Sequence, residues 1–273
     1  MASAPPFSRF VALGDSQTEG VGDPDEHGGL RGWADRFASK LAAANPGLLY
    51  ANLAIRGRRT ARIRAEQLEA ALALRPDLVA LVAGMNDLIR PRFDQAATLA
   101  DIEAMVAALT EAGARVISFT FPDIGSVAPM VRPLSGRVRA MNAEMRLLAA
   151  KYDVTLVDFE PVRTTSDPRA WADDRLHLSP LGHEIVAQAV AETLAVPGAD
   201  ACWRDPLPPI LTQPRPLERV AAELRWVADH FVPWVGRRVR GRSSGDFVLP
   251  KRPQLTAVTP EFLGLDTAPP STW

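Results

Sequence analysis

The run "FVALGDSQTEG" at residues 10 to 20 is apolar until it stops at Gly14-Asp15-Ser16. A serine hydroxyl attacks a carbonyl only when a base within hydrogen-bond reach takes its proton and a third group orients that base. The later stretch "RTTSDPRAWADDRLHLSPLGH" supplies both types in Asp174 and His177. Their three-residue spacing allows a local turn in which the carboxylate accepts from one imidazole nitrogen while the other faces the serine. Acyl transfer also needs donors aimed at the developing oxyanion. The backbone amide of Ser16, the amide of Gly57 in "NLAIRG" and the side-chain amide of Asn86 in "GMND" are the candidates. Since His177 acts as a base only when neutral, activity is expected to fall in acid.

Residues so far apart need a scaffold that gathers them. Five apolar runs of strand length recur: "FVALGD", "LLYANLA", "LVALVAGMND", "RVISFTFPD" and "VTLVDFEP". Continuous rather than alternating apolar residues indicate strands covered on both faces, as in a parallel sheet. Amphipathic stretches lie between and after them, at about 32 to 44, 60 to 74, 94 to 112, 135 to 152 and 180 to 194, the last opened by a Ser179-Pro180 cap and first turn. Strand and helix alternate through residue 196, which predicts a three-layer α/β domain with right-handed crossovers. In such sheets ligands bind at the carboxyl ends of the strands, and Ser16, Gly57, Asn86 and the Asp174–His177 loop all follow a strand.

The four blocks "GDS", "NLAIRG", "GMND" and "DRLH", in this order over residues 8 to 195, resemble those of the SGNH or GDSL hydrolases, a family of esterases and lipases. The resemblance implies a flavodoxin-like domain, α/β/α, with a five-stranded parallel sheet of order 2-1-3-4-5. It implies that Ser16 is nucleophile and oxyanion donor, that Gly57 and Asn86 complete the oxyanion hole, and that His177 is general base with Asp174 as its orienter. Asp15 and Ser16 also suit a turn or helix cap, and Asp87 is assigned to holding its loop.

Residues 1–196 are therefore expected to form the hydrolase domain and 197–273 a proline- and arginine-rich extension packed on it. The extension holds one expected helix at about 217–232, with Val220, Leu224, Val227 and Phe231 at helical spacing and Pro233 ending it. The basic run Arg237 to Arg242 offers an anionic contact, although a solvated face is the plainer reading. Ser243 in "GRSSG" mimics a nucleophile elbow but lacks the strand and helix that such an elbow needs. His183 in "HEIVA" has no second histidine for a zinc site, and is read as packing near the active-site loop.

The 273 residues are 47% hydrophobic and 23% charged, with a formal net charge of -1, which recommends neither nucleic acid nor an anionic membrane as a partner. Cys202 is the one cysteine, so no internal disulfide and no multi-cysteine metal site can form. Prolines interrupt "MASAPPFSRF", so no signal peptide is expected there; no run of ~18 apolar residues occurs, and a cytoplasmic location is expected. The sequence leaves the oligomeric state open. It points to a serine ester hydrolase that needs no cofactor or metal and works through an acyl-enzyme on small or polar carboxylic esters, either short-chain acyl or O-acetyl. An acyltransferase, a lysophospholipase or a thioesterase would use the same residues, and a non-catalytic binding module is the reading of a different class.

Overall fold

Strand β1 (Arg9–Gly14) runs through the middle of the molecule, and Phe10 to Leu13 have no exposed surface. The computed structural model describes residues 7–123, 125, 127–209, 216–233, 236 and 244–259. Beside β1 lie β2 (Leu49–Asn52) and β3 (Leu78–Val82), both parallel to it, and β4 (Arg115–Phe119) and β5 (Thr155–Val157) continue the sheet beyond β3. All five residues of β3 are buried, which is why these strands read as unbroken apolar runs.

The helices form the outer layers. α2 (Gly32–Ala44) packs on α7 (Pro180–Thr193), whereas α3 (Thr60–Ala73), α5 (Gln95–Glu111) and α6 (Ser135–Tyr152) pack in sequence on one another. The direction of the sheet reverses after β2, so right-handed crossovers place these two groups on opposite faces. Each helix buries one stripe. Trp33, Phe37 and Leu41 do so in α2, and Ile102, Met105, Val106 and Leu109 in α5. Ser179 caps α7 through Oγ, which accepts from the Gly182 amide at 3.2 Å, and Asp94 caps α5 by accepting from Ala97 at 3.0 Å. Two single helical turns, α1 (Ser16–Glu19) and α4 (Met85–Leu88), directly follow β1 and β3.

The sheet departs from the expected five-stranded parallel one. It has six strands in the order β5-β4-β3-β1-β2-β6 and is mixed. The added strand is β6 (Arg252–Ala257), supplied by the extension and running antiparallel beside β2. It escapes sequence reading because "RPQLTA" has no continuous apolar run and holds Pro253, a residue that sheets accept at an edge. Two cations fasten it. Lys251 and Arg252 reach the buried Asp35 of α2 at 3.0 and 3.2 Å, and Asp35 also accepts from the Tyr50 hydroxyl at 2.7 Å.

The extension's helix α8 (Pro216–Trp226) continues as a π-helical turn, Val227–Phe231. Ser243 and the basic run Arg237–Arg242 lie outside the described residues. Among the described residues no helix is long and apolar enough to cross a membrane, and no cluster of three potential metal ligands occurs.

Candidate active site

Ser16 stands at the first position of α1, immediately after β1, and is 9% exposed. The chain can turn there because Gly14 has no side chain: a Cβ would sit 2.8 Å from the carbonyl oxygen of Val82 on β3. Gln67 of α3 satisfies both backbone groups of Gly14, donating to its carbonyl and accepting from its amide at 2.9 Å each. Asn52, at the end of β2, donates to the Thr18 carbonyl at 2.8 Å and so ties β2 to the same turn.

Gly57 follows β2 and has φ 73°, a left-handed conformation that glycine adopts without penalty. Its loop is bound to the serine's turn by the buried Glu19, which accepts from the Arg56 backbone amide at 2.6 Å and pairs with the Arg56 guanidinium at 2.5 Å. Asn86 lies in α4 after β3, and Asp87 beside it accepts from the backbone and hydroxyl of Thr60 at 2.9 and 2.8 Å, the loop-holding role expected of it. The Asn86 amide nitrogen donates to Asp15 Oδ2 at 2.8 Å and to the Arg58 carbonyl at 3.1 Å, so both of its hydrogens are engaged.

Asp15 is more than a turn residue. It is 4% exposed, and burial pushes its carboxyl up to about 6 against the opposing pull of the Gln17 amide, the His177 charge and the Asn86 hydrogen bond.

The base loop is a hairpin closed by an antiparallel bridge between Trp171 and Leu178. Asp174 Oδ1 accepts from the backbone amides of Leu176 and His177 at 3.0 and 2.9 Å, and Oδ2 meets His177 Nδ1 at 2.5 Å. Burial alone would raise the Asp174 carboxyl, but the hydrogen bond and charge of His177 together with the two amides hold it well below the ordinary carboxylate range. It is therefore an anion at neutral pH. With the Nδ1 proton directed to that anion, Nε2 is left as the basic nitrogen.

Gln17, next to Ser16, crosses to this loop: its Nε2 donates to the Leu176 carbonyl at 2.7 Å and its Oε1 accepts from the Leu178 amide at 3.2 Å. One side chain thus grips the backbone on both sides of His177. A second grip comes from α8. Arg175, between Asp174 and His177, has φ 57°, pairs with Glu223 at 2.8 Å, and lies 5.0 Å from the ring centre of the buried Trp226. Neither grip is visible in the sequence, because each is a tertiary contact between side chains with no spacing rule to mark it.

His183 is fully buried in α7, accepting from the Trp33 amide through Nδ1 at 3.0 Å while Nε2 faces the Val21 carbonyl at 3.2 Å. Burial pushes its pKa down to about 4, so it is a neutral structural residue that joins α7 to α2 below the site.

The sequence model of the GDSL-like Lipase/Acylhydrolase family matches residues 12–185. No curated protein matches the chain. Among solved structures, a catalytic mutant of Axe2, an acetylxylan esterase from Geobacillus stearothermophilus, is similar with a TM-score of 0.60 at 19% identity, covering 73% of this chain and 100% of that one. LAE5, an α/β hydrolase enzyme from the metagenome of Lake Arreo, Spain, is similar with a TM-score of 0.59 at 22% identity, covering 69% and 95%. These likenesses are to the fold.

Proposed function

This chain belongs to the GDSL-like Lipase/Acylhydrolase family, and from that premise we propose that it hydrolyses small or polar carboxylic esters, short-chain acyl or O-acetyl, through an acyl-enzyme on Ser16. Family membership makes it a serine ester hydrolase; the choice of esters and the role of each residue are our reading. The acetylxylan esterase among its structural neighbours supports the O-acetyl part of that choice. The observation that carries the reading is the Asp174–His177 pair, 2.5 Å apart and stitched by Gln17 to the turn that bears Ser16.

In the first half-reaction Ser16 Oγ bonds to the ester carbonyl carbon as its proton passes to His177 Nε2, and the resulting imidazolium is stabilised by anionic Asp174. The backbone amides of Ser16 and Gly57 and the Asn86 side chain stabilise the oxyanion. Asn86 does so by giving up the longer of its two bonds, that to the Arg58 carbonyl. The tetrahedral species collapses by breaking the carbon–oxygen bond to the alcohol, which leaves with the proton from His177. Water then attacks the acyl-enzyme, losing its proton to His177, and the carboxylic acid departs as Ser16 regains its hydrogen. We take residues 1–196 and 197–273 as one working unit, since the grip on Arg175 comes from the extension.

Replacing Ser16 by Ala is expected to lower turnover of a 4-nitrophenyl short-chain ester by on the order of 10³ or more. A fluorophosphonate should label the parent at Ser16 and leave the variant unlabelled. Unchanged turnover in Ser16→Ala would overturn the assignment. Product analysis with a competing alcohol reads the acceptor directly: free acid marks a hydrolase and a new ester a transferase.

A further inference from the structure

Gly245, the last residue of "GRSSG", lies in a turn of the extension over residues 244–247, closed by the Val248 amide donating to the Gly245 carbonyl at 3.2 Å. Its neighbours Ser244 and Asp246 are exposed, whereas Gly245 itself is buried. The backbone of Gly245 lies outside the left-handed region, so its angles do not call for glycine. Space does. A Cβ at this position would overlap the Arg56 carbonyl oxygen and lie 3.1 Å from both the Arg56 carbonyl carbon and Ile55 Cγ2. The backbone of the extension is thus laid directly on the backbone of the loop that follows β2.

We propose that Gly245 is a positioning residue for the oxyanion hole, a stop against the Arg56 oxygen that fixes the direction of the Gly57 N–H. The inference rests on the hydrolase reading above. The Arg56 carbonyl and the Gly57 amide belong to one planar trans peptide unit, so the oxygen and the hydrogen point in opposite directions and move together. Gly245 therefore stands behind the N–H that donates to the oxyanion in the proposed reaction. The peptide units on either side are held: Glu19 accepts from the Arg56 amide at 2.6 Å, and the Arg58 amide donates to the Ile55 carbonyl at 3.4 Å. The unit between them can still turn about its flanking bonds, because Gly57 has no Cβ to resist it. A stop against the oxygen limits that turn. Oxyanion stabilisation depends on donors aimed in advance, so a side chain at 245 that pushes the Arg56 oxygen would cost transition-state stabilisation and leave ester binding alone.

The test is Gly245→Ala in the full chain, read with a 4-nitrophenyl short-chain ester and with a short alkyl boronic acid. Boron bonds to Ser16 Oγ and becomes a tetrahedral anion as the Oγ proton passes to His177, so the boronic acid reports on the oxyanion hole without turnover. In the variant kcat should fall by on the order of 10², with KM within about twofold of the parent. Affinity for the boronic acid should fall by a similar factor, and the pH dependence of kcat/KM should keep its shape because the base is untouched. Val248→Pro removes the hydrogen bond that closes the turn and adds no atom against Arg56. It should lower kcat about fivefold with KM again unchanged, which keeps the test open if Gly245→Ala does not fold. Parental kcat in folded Gly245→Ala, or a loss of kcat with boronic acid affinity retained, would overturn the positioning role and leave the hydrolase reading intact. Absence of turnover in the parent, with no fluorophosphonate labelling of Ser16, would overturn the hydrolase reading and this inference with it.

Discussion

The two halves of the candidate site are built differently. The half that carries Ser16, Gly57 and Asn86 is made from the ends of three neighbouring parallel strands, and its turns are tied to one another by three buried groups, Gln67 on Gly14, Asn52 on Thr18 and Glu19 on Arg56, and by the half-buried Asp87 on Thr60. The half that carries Asp174 and His177 is a hairpin beyond the last parallel strand, held across the site by Gln17 and from outside by Glu223 and Trp226. A nucleophile at a strand end inherits its position from the sheet. A base on a loop must borrow its position, and here part of the loan comes from a segment beyond the residues that the family model matches.

The sharpest way to separate the halves is to break the base's orientation while leaving the nucleophile's frame whole. Asp174→Ala removes the acceptor of the two loop amides and of His177 Nδ1, and kcat on a short-chain ester should fall by on the order of 10³ with KM little changed. The melting temperature should report a smaller change, because the parallel strands do not depend on this loop. A fall in KM-level binding with kcat preserved would contradict the orienting role.

The nucleophile half has its own signature, in stability rather than rate. The Asp15 carboxyl is raised by burial from 3.8 to about 6, so the folded state holds that proton more tightly than the unfolded chain does. Its contribution is fully present below about 3.8 and is lost as pH rises through about 6, by about 3 kcal/mol in all. Asp15→Asn removes the titration. The stability difference between variant and parent should therefore move in the variant's favour by about 2 kcal/mol between pH 4 and pH 7, whatever its starting sign. His183, lowered by burial to about 4, works in the opposite direction: its contribution is present above the ordinary imidazole value and is lost as pH falls toward about 4. Denaturant midpoints at several pH values read the slope, and parallel curves for variant and parent would sink the buried-acid account.

How much of this contrast was legible beforehand follows the same division. β1 to β5 announce themselves as apolar runs because both faces of those strands are covered, and α2, α3, α5, α6 and α7 as stripes because one face of each helix is. Ser16, Gly57, Asn86, Asp174 and His177 stand out by type and by following strands. β6 is silent because an edge strand with Pro253 and half-exposed side chains carries no periodic signal. Asp15 and Gln17 sit in plain view beside Ser16, yet burial and the direction of a side chain are properties of the folded chain. Glu223 is an ordinary helix-surface acid until α8 is laid against Arg175.

The link between the halves can be weakened without touching a reacting group. Gln17→Ala loses both hydrogen bonds to the backbone around His177 and should lower kcat about tenfold, the equivalent of ~1.4 kcal/mol. Gln17→Glu keeps an acceptor for the Leu178 amide but not a donor for the Leu176 carbonyl, so its loss should be at least as large. The fluorophosphonate labelling rate of Ser16 should fall in step with kcat. Labelling at the parental rate would mean that the halves are aligned without Gln17.

The smallest expected effect tests whether the base half leans on the extension. Arg175 has a left-handed backbone that non-glycine residues adopt at a cost, so something must hold it there. Glu223 is more than half exposed, and an exposed ion pair contributes at most about 1 kcal/mol. Glu223→Ala should therefore lower kcat only about threefold, leave KM and the melting temperature nearly unchanged, and be partly rescued by Glu223→Asp. Salt gives a second readout. Screening weakens the Arg175–Glu223 pair in the parent, so kcat of the parent should drift toward that of the variant as ionic strength rises, while the variant itself stays flat. If Glu223→Ala turns over at the parental rate at low salt, the hairpin holds its own shape, and the base half borrows nothing through this pair.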